Sequence, residues 1–357
     1  MWKYLYIVLF FISFLISLFL TSLFGRIAKK VGILAIPSER KIHKKPTPLL
    51  GGLGISFSFF LVIAIGIIFV DYNLVPEFIK DYIPGIYSIF PKLLSIVLCG
   101  IIVIFFGLLD DAYELKALQK LFFQFITSTV IFLSGIRITF FISNTFLSYL
   151  ITCLWIIFMM NCFNLLDNMD GLSAGVATIT GFILFVFAFE MEQLFIATIL
   201  SVFLGSVCGF LFHNFPPAKI FMGEVGSSFL GYFLGVVSIL LTYYKYEENK
   251  NFLPLFIPLI VFSVPFFDTI SVIIIRLKRG YSIFKADTNH LSHRLVSIGM
   301  TQKQAILFIY LLTLTTGINA LILKNLNIYG GIEVLLVVIL ILTIVAILEF
   351  FGRKWEN

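Results

Sequence analysis

Two adjacent carboxylates, Asp110 and Asp111, close an apolar run in Gly107-Leu-Leu-Asp-Asp-Ala-Tyr-Glu-Leu-Lys-Ala-Leu-Gln-Lys, and Lys120 opens the next one. Like charges side by side at the edge of hydrocarbon are costly unless a cation shares the site, which Lys120 or a metal ion can supply. Further on, Asn161, Asn164, Asp167 and Asp170 recur at a three-residue interval in Asn161-Cys-Phe-Asn-Leu-Leu-Asp-Asn-Met-Asp-Gly. On an α-helix that interval draws a slowly winding polar stripe, and on a 3₁₀ turn a straight one. Either aims carbonyl and carboxylate oxygens at one place, a donor set suited to a hard cation such as Mg²⁺ or to the polar edge of a nucleobase. A single amide of such a set can instead bridge helices within a bundle.

A lone carboxylate, Glu224, stands between Gly223 and Gly226 ahead of another apolar run. The glycines admit close approach of backbone or ligand, and a helix N-terminus beyond them favours phosphate. His290 and His293 lie three residues apart in Asp287-Thr-Asn-His-Leu-Ser-His-Arg294, with no cysteine or third histidine nearby to complete a zinc set. Phosphate contact or proton transfer is the chemistry that fits them beside Arg294. The basic segment Pro37–Gly52, which contains Lys41, reads as topogenic charge or as a loop for anionic lipid heads. Asp268 sits inside an apolar run; an intramembrane acid is functional by default, although Ser271 or a neighbouring helix offers it a structural partner.

The elements that position these residues must lie in lipid. The chain is 60% hydrophobic and 12% charged, against about a quarter charged in soluble domains. Stretches long enough to cross about 30 Å of hydrocarbon fall near 4–24, 49–70, 92–109, 120–134, 144–160, 171–189, 194–212, 227–244, 253–275, 304–323 and 331–351, roughly eleven spans. The first reads as a retained helix, because it lacks a small-x-small cleavage site. The runs are near-uniform in Leu, Ile, Phe and Val without two-residue alternation, so their backbone hydrogen bonds close within helices, a pattern that argues against a β-barrel. The expected fold is an all-α polytopic integral membrane protein. No linker, charge block or repeat divides residues 1–357, so a single membrane domain is expected.

Of the 25 lysines and arginines, only Lys3, Lys80, Lys92, Arg137, Lys245, Lys250 and Lys324 fall opposite the loop that follows the first span. The positive-inside rule therefore predicts an outward N-terminus, a cytoplasmic C-terminus and chemistry at the cytoplasmic helix ends. That asymmetry accounts for the net charge of +6 without nucleic acid as a partner. Cys99, Cys153, Cys162 and Cys208 lie in or beside apolar runs, form no CxxC pair and read as packing residues.

In order and along most of the chain, the stretches PSERKIHKKPTPLLGG, GLLDDAYELKALQKLFFQ, NCFNLLDNMDGL, PPAKIFMGEVGSSFLG and DTNHLSHRL resemble the polyprenyl-phosphate N-acetylhexosamine-1-phosphate transferases of glycosyltransferase family 4. The resemblance implies that the phosphate of a membrane polyprenol, undecaprenyl phosphate in bacteria, attacks the β-phosphorus of a UDP-N-acetylhexosamine, giving a lipid-diphospho-sugar and UMP. It implies an enzyme of the bacterial inner membrane that initiates a cell-envelope glycan, with Mg²⁺ or Mn²⁺ as cofactor and a homodimer as a compatible assembly. By the same resemblance Asn164 and Glu224 hold the metal, Asp170 and the ring of Phe221 bind uracil, and Asp167 supports the nucleoside end. Asp110 and Asp111 sit by the phosphates, one of them orienting or deprotonating the lipid phosphate, with Lys120 beside them. His290, His293 and Arg294 contact the sugar-phosphate, and Asn161 and Lys41 complete the substrate contacts.

This sequence departs from the family pattern at four places: Glu224 stands for the usual aspartate, Asn168 for a glycine, Ala35 for an acidic residue, and Ser292 for the middle histidine of His-x-His-His. The histidine triplet typical of phospho-MurNAc-pentapeptide transferases is absent, and the span count resembles the enterobacterial-antigen and teichoic-acid initiating branch, for which a simple N-acetylhexosamine donor is expected. A secondary transporter would place its polar groups near the bilayer midplane, often within inverted repeats, whereas these gather at one face. A non-catalytic relative that binds the lipid carrier is the remaining alternative, raised by Glu224.

Overall fold

The computed structural model describes residues 1–35, 46–139, 143–243, 252–284 and 287–352. Each of the apolar stretches is helical in it. The helices are α1 (Trp2–Val31), α2 (Gly51–Asp71), the single turn α3 (Glu77–Lys80), α4 (Ile83–Tyr113), α5 (Ala117–Leu133), α6 (Thr145–Leu166) and α7 (Leu172–Glu190). They continue as α8 (Leu194–Asn214), α9 (Gly223–Leu240), α10 (Ile257–Val261), α11 (Ser263–Lys278), α12 (Leu291–Ser297), α13 (Gln302–Leu323) and α14 (Ile328–Gly352). Among the described residues nine helices are long and apolar enough to cross a bilayer, and α5, at 17 residues, is shorter than these. The protein is a multi-pass helical membrane protein.

One predicted span is not continuous. Over 253–275 a 3₁₀ turn, Leu253–Phe256, and α10 meet α11 at an angle of 67°, with the break at Phe262. Pro265 accounts for it, since it lacks an N–H and its ring crowds the Val261 carbonyl four residues back. A second feature absent from the all-helical expectation is a two-residue antiparallel pair, β1 (Leu34–Ala35) with β2 (Thr47–Pro48), which joins the flanks of the basic segment.

Helix α9 is the hub. Its buried residues run without interruption from Val225 to Ser238, so it is enclosed on every side, as a helix apolar all round must be. Without a hydrophobic force between helices in lipid, close packing and interhelical hydrogen bonds hold the bundle. Tyr232 donates its hydroxyl to the Ile96 carbonyl of α4 at 2.9 Å. A β-carbon on Gly107 of α4 would lie 2.6 Å from Val225 Cα, and one on Gly231 would lie 2.4 Å from the Met159 carbonyl of α6. Helices α1 and α8 approach in the same way at Gly205 and Gly209, where Ser17 donates to the Ser206 carbonyl at 2.6 Å.

The glycine-bearing motifs form one zipper. The amides of Gly51 and Gly52 donate to the carbonyls of Phe221 and Met222 at 2.9 Å each, and the Phe221 amide donates to Pro48 at 2.8 Å. A β-carbon on Gly52 would lie 2.2 Å from the Gly226 nitrogen, a backbone atom that has no room to retreat. Gly52→Ala is therefore expected to destabilise the protein by about 1–3 kcal/mol. Gly66→Ala on the same helix, where the space is open, should stay within about 0.5 kcal/mol of wild type. Denaturation of the two variants in detergent micelles checks this, and equal stabilities would refute the packing described.

Candidate active site

The C-terminal end of α4 meets the N-terminal end of α9 through Asp111. Its carboxylate accepts the amides of Glu224 at 2.8 Å and Val225 at 3.4 Å, satisfying two backbone donors that a helix start leaves without partners. Gly223 precedes them at φ +69°, and a β-carbon there would lie 2.5 Å from Asp111 Oδ2, so the turn requires glycine. Asp110, buried beside it, accepts the Leu115 amide at 2.7 Å and pairs with Lys120 Nζ at 2.5 Å. Lys120 reaches Glu224 Oε1 at 2.8 Å, and Asn164 Nδ2 donates to the other Glu224 oxygen. Five of the predicted residues, contributed by α4, α5, α6 and α9, thus form one connected network.

Above the network opens a cavity of about 570 Å³. One wall carries Asp111, Asn164, Asp167, Asp170, Glu224 and Phe221; the other carries Arg276, Asp287, His290 and His293. Asp170 Oδ2 accepts the Ala218 amide at 2.9 Å, which fixes that carboxylate. Asp167 lies in the turn after α6. Burial, followed by the charges of Glu224, Asp111 and Asp170, pushes its carboxyl well above the ordinary range.

The opposite wall is organised by buried acids. Asp268 Oδ2 lies 3.0 Å from His290 Nδ1, and its Oδ1 accepts the Leu291 amide at 2.5 Å. The same carboxylate therefore starts α12 and orients the imidazole, leaving Nε2 as the ring nitrogen offered to the cavity. His293 is held below the usual imidazole range by burial and then by the nearby His290. Arg276 forks onto Asp287, Nε to Oδ2 at 3.0 Å and Nη2 to Oδ1 at 3.3 Å, and donates to the Ile283 carbonyl at 2.5 Å.

Two predicted site residues lie elsewhere. Asn161 donates to Gln124 Oε1 of α5 and to the Ile157 carbonyl, both at 2.8 Å, and does not line the cavity. Arg294 is buried away from the cavity and bonded to Glu349. Lys41 is outside the described residues. Sequence reasoning passed over Arg276, which it counted only as topogenic charge, and Gln302, which lines the cavity from the start of α13. The arginine's place two turns after the intramembrane acid Asp268 on the same helix was the available signal.

Fold and site together define a polytopic helical membrane protein with an acid-rich cavity at one end of its bundle. The family description "Glycosyl transferase family 4" matches residues 93–242. A probable undecaprenyl-phosphate N-acetylglucosaminyl 1-phosphate transferase of Bacillus subtilis (strain 168) is 33% identical over 348 residues, 95% of this chain and 91% of that protein. A decaprenyl-phosphate N-acetylglucosaminephosphotransferase of Mycobacterium leprae is 29% identical, covering 83% of this chain and 78% of its own length. An undecaprenyl-phosphate alpha-N-acetylglucosaminyl 1-phosphate transferase of Escherichia coli (strain K12) is 28% identical, with coverages of 83% and 79%. The chain belongs to glycosyl transferase family 4.

The Arg276–Asp287 fork has a pH signature. Burial alone would raise the Asp287 carboxyl, but the hydrogen bonds from Arg276 and Asn289 and the arginine's charge bring it down to about 2 from an ordinary 3.8. Because the folded value is the lower one, the stability it contributes is fully present above about pH 4 and is lost as pH falls through about 2. Asp287→Asn is expected to remove that part of the acid limb, seen as a smaller drop in thermal midpoint between pH 4 and pH 2 than wild type shows. An identical acid limb in the variant would contradict the pairing.

Proposed function

We propose that this chain transfers N-acetylhexosamine 1-phosphate, with N-acetylglucosamine the sugar named for its relatives, from a UDP-sugar to a polyprenyl phosphate, releasing UMP at the cytoplasmic face of a bacterial inner membrane. The observation that carries this is the charge on the cavity's first wall. Asp111, Asp167, Asp170 and Glu224 line it, and Lys120 is the cation paired to that cluster among the described residues. A nucleoside diphosphate sugar is itself anionic and enters such a wall only with a cation.

Among the described residues no group of three or more His, Cys, Asp or Glu could hold a metal unaided. Mg²⁺, however, is commonly bound through one or two carboxylates together with substrate phosphates. Glu224 and the amide of Asn164, in contact at the cavity floor, fit that donor set, and Mn²⁺ fits the same oxygens. When bound, the ion supplies neutralisation of the diphosphate and of the charge that develops on it.

The remaining work falls to the chain's own residues. Phe221 offers a ring face for the uracil and Asp170, fixed by Ala218, an acceptor for its imide N–H. A second, water-sized cavity of about 30 Å³ lies on the far side of Lys120 and Glu224, walled by Val103, Phe106, Phe123 and Met160. The lipid phosphate approaches from this apolar side, and Lys120 draws it in. Asp110 and Asp111 are already engaged by Lys120 and by backbone amides, so they hold Lys120 and α9 in place. No protein base is required, since a phosphate monoester with a second pKa near 6 is largely ionised at neutral pH. Across the cavity, Arg276, His290 and His293 take the sugar-phosphate, where developing charge is stabilised by groups positioned beforehand.

Purified protein incubated with radiolabelled UDP-N-acetylglucosamine, undecaprenyl phosphate and Mg²⁺ is expected to yield UMP and a butanol-soluble sugar lipid. Chelation should abolish both products, and added Mg²⁺ or Mn²⁺ should restore them. If no UDP-N-acetylhexosamine gives product, the transferase reading fails. Glu224→Gln and Lys120→Met should each lower turnover by about 10²-fold or more, and full activity in either would remove that residue from the site.

A further inference from the structure

Helix α12 presents His290 and His293 to the cavity, while its other side is tied to the last helix of the chain. Arg294, buried, donates from Nε to Glu349 Oε2 of α14 at 2.9 Å, from Nη2 to Ser271 Oγ of α11 at 2.8 Å, and from Nη1 to the Asn289 carbonyl. Neighbouring helical residues point about 100° apart, so a helix that turns His293 inward turns Arg294 away. Glu349 is buried near the end of a helix on which Leu336, Ile339, Leu340, Ile344 and Leu348 are apolar and exposed to the surroundings.

A carboxylate retained on so apolar a helix is costly unless paired, and its partner is adjacent in sequence to a cavity histidine. At seven residues α12 has too few backbone hydrogen bonds to set its own orientation. Three side-chain ties set it instead: Asp268 to His290 and Leu291, Asn168 to Ser292 at 2.5 Å, and Arg294 to Glu349 and Ser271. The first two reach α12 from elements of the cavity. Among the described residues, the third is the tie that brings in α14.

We propose that Glu349 is a positioning residue of the active site, fixing α12 through Arg294 and thereby placing the imidazoles of His290 and His293, so that α14 is a working part of the catalytic unit. This rests on the transferase reading above. Among the described residues, loss of the glutamate leaves the buried arginine with the neutral Ser271 and Asn289 as hydrogen-bond partners, and α12 reorients to relieve it.

The full chain in detergent tests this with Glu349→Gln and Glu349→Asp, read by kcat and by KM for UDP-N-acetylglucosamine per mole of folded protein. The rate at which diethyl pyrocarbonate modifies His290 and His293, followed by mass spectrometry, gives a second readout. Glu349→Gln is expected to lower kcat about tenfold or more, with KM within about twofold, and to change the histidine modification rate; Glu349→Asp should recover part of both. A folded Glu349→Gln protein with wild-type kcat and histidine reactivity overturns the proposal. Should the glutamine variant not fold, the aspartate variant decides: it keeps the charge with a shorter reach, so reduced kcat with altered histidine reactivity supports the role and wild-type values for both refute it. An inactive wild type defeats the transferase reading instead, and the histidine reactivities still decide whether Glu349 positions α12.

Discussion

Carboxylates at the edge of a low-dielectric slab repel one another and are poorly hydrated, yet Asp110, Asp111, Asp167, Asp170 and Glu224 meet in one corner of this bundle. Much of the architecture serves to hold them there. The backbone amides at the start of α9 face Asp111, Lys120 lies between Asp110 and Glu224, and the amides of Leu115 and Ala218 take up further oxygens. Contacts that tight require α2, α4 and α9 to touch backbone to backbone, which Gly52, Gly107, Gly223 and Gly226 permit. The imbalance that remains is the reason a divalent cation and an anionic substrate suit the cavity together.

The helices were legible because each apolar run is long, uniform and bounded by polar residues, a one-dimensional signal that needs no knowledge of neighbours. The break at Phe262 was not, since a window average over 253–275 hides the proline that causes it. Within the site, convergence of the motifs was legible and direction was not. The polar stripe of α6 winds by about 60° at each three-residue step, so Asn161 has turned towards Gln124 of α5 by the time Asp167 faces the cavity. Arg294 follows His293 directly, and adjacency in sequence on a helix is divergence in space.

Three of the places where this sequence departs from its family's pattern take part in contacts between elements. Ser292 donates its hydroxyl to the Asn168 amide oxygen at 2.5 Å, which ties the turn after α6 to helix α12 across more than a hundred residues of sequence. At Glu224 the extra methylene lets one carboxylate reach Lys120 on α5 and Asn164 on α6 at once. Neither relation is visible one position at a time.

Lys120 and Glu224 also stand where the large polar cavity and the small apolar-walled one adjoin. An in-line displacement at phosphorus needs its nucleophile and its leaving group on opposite sides. Glu224 lines both cavities, so the proposed nucleotide sugar, on the side lined by Arg276 and the histidines, and the lipid phosphate, on the side lined by Phe106 and Phe123, would meet beside that carboxylate from opposite directions. Lys120 lines the small cavity and is tied to the large one through Glu224. Its position between two carboxylates keeps it charged and fixed before either anion arrives, so charge stabilisation is built into the resting fold and little reorganisation is left for the moment of transfer.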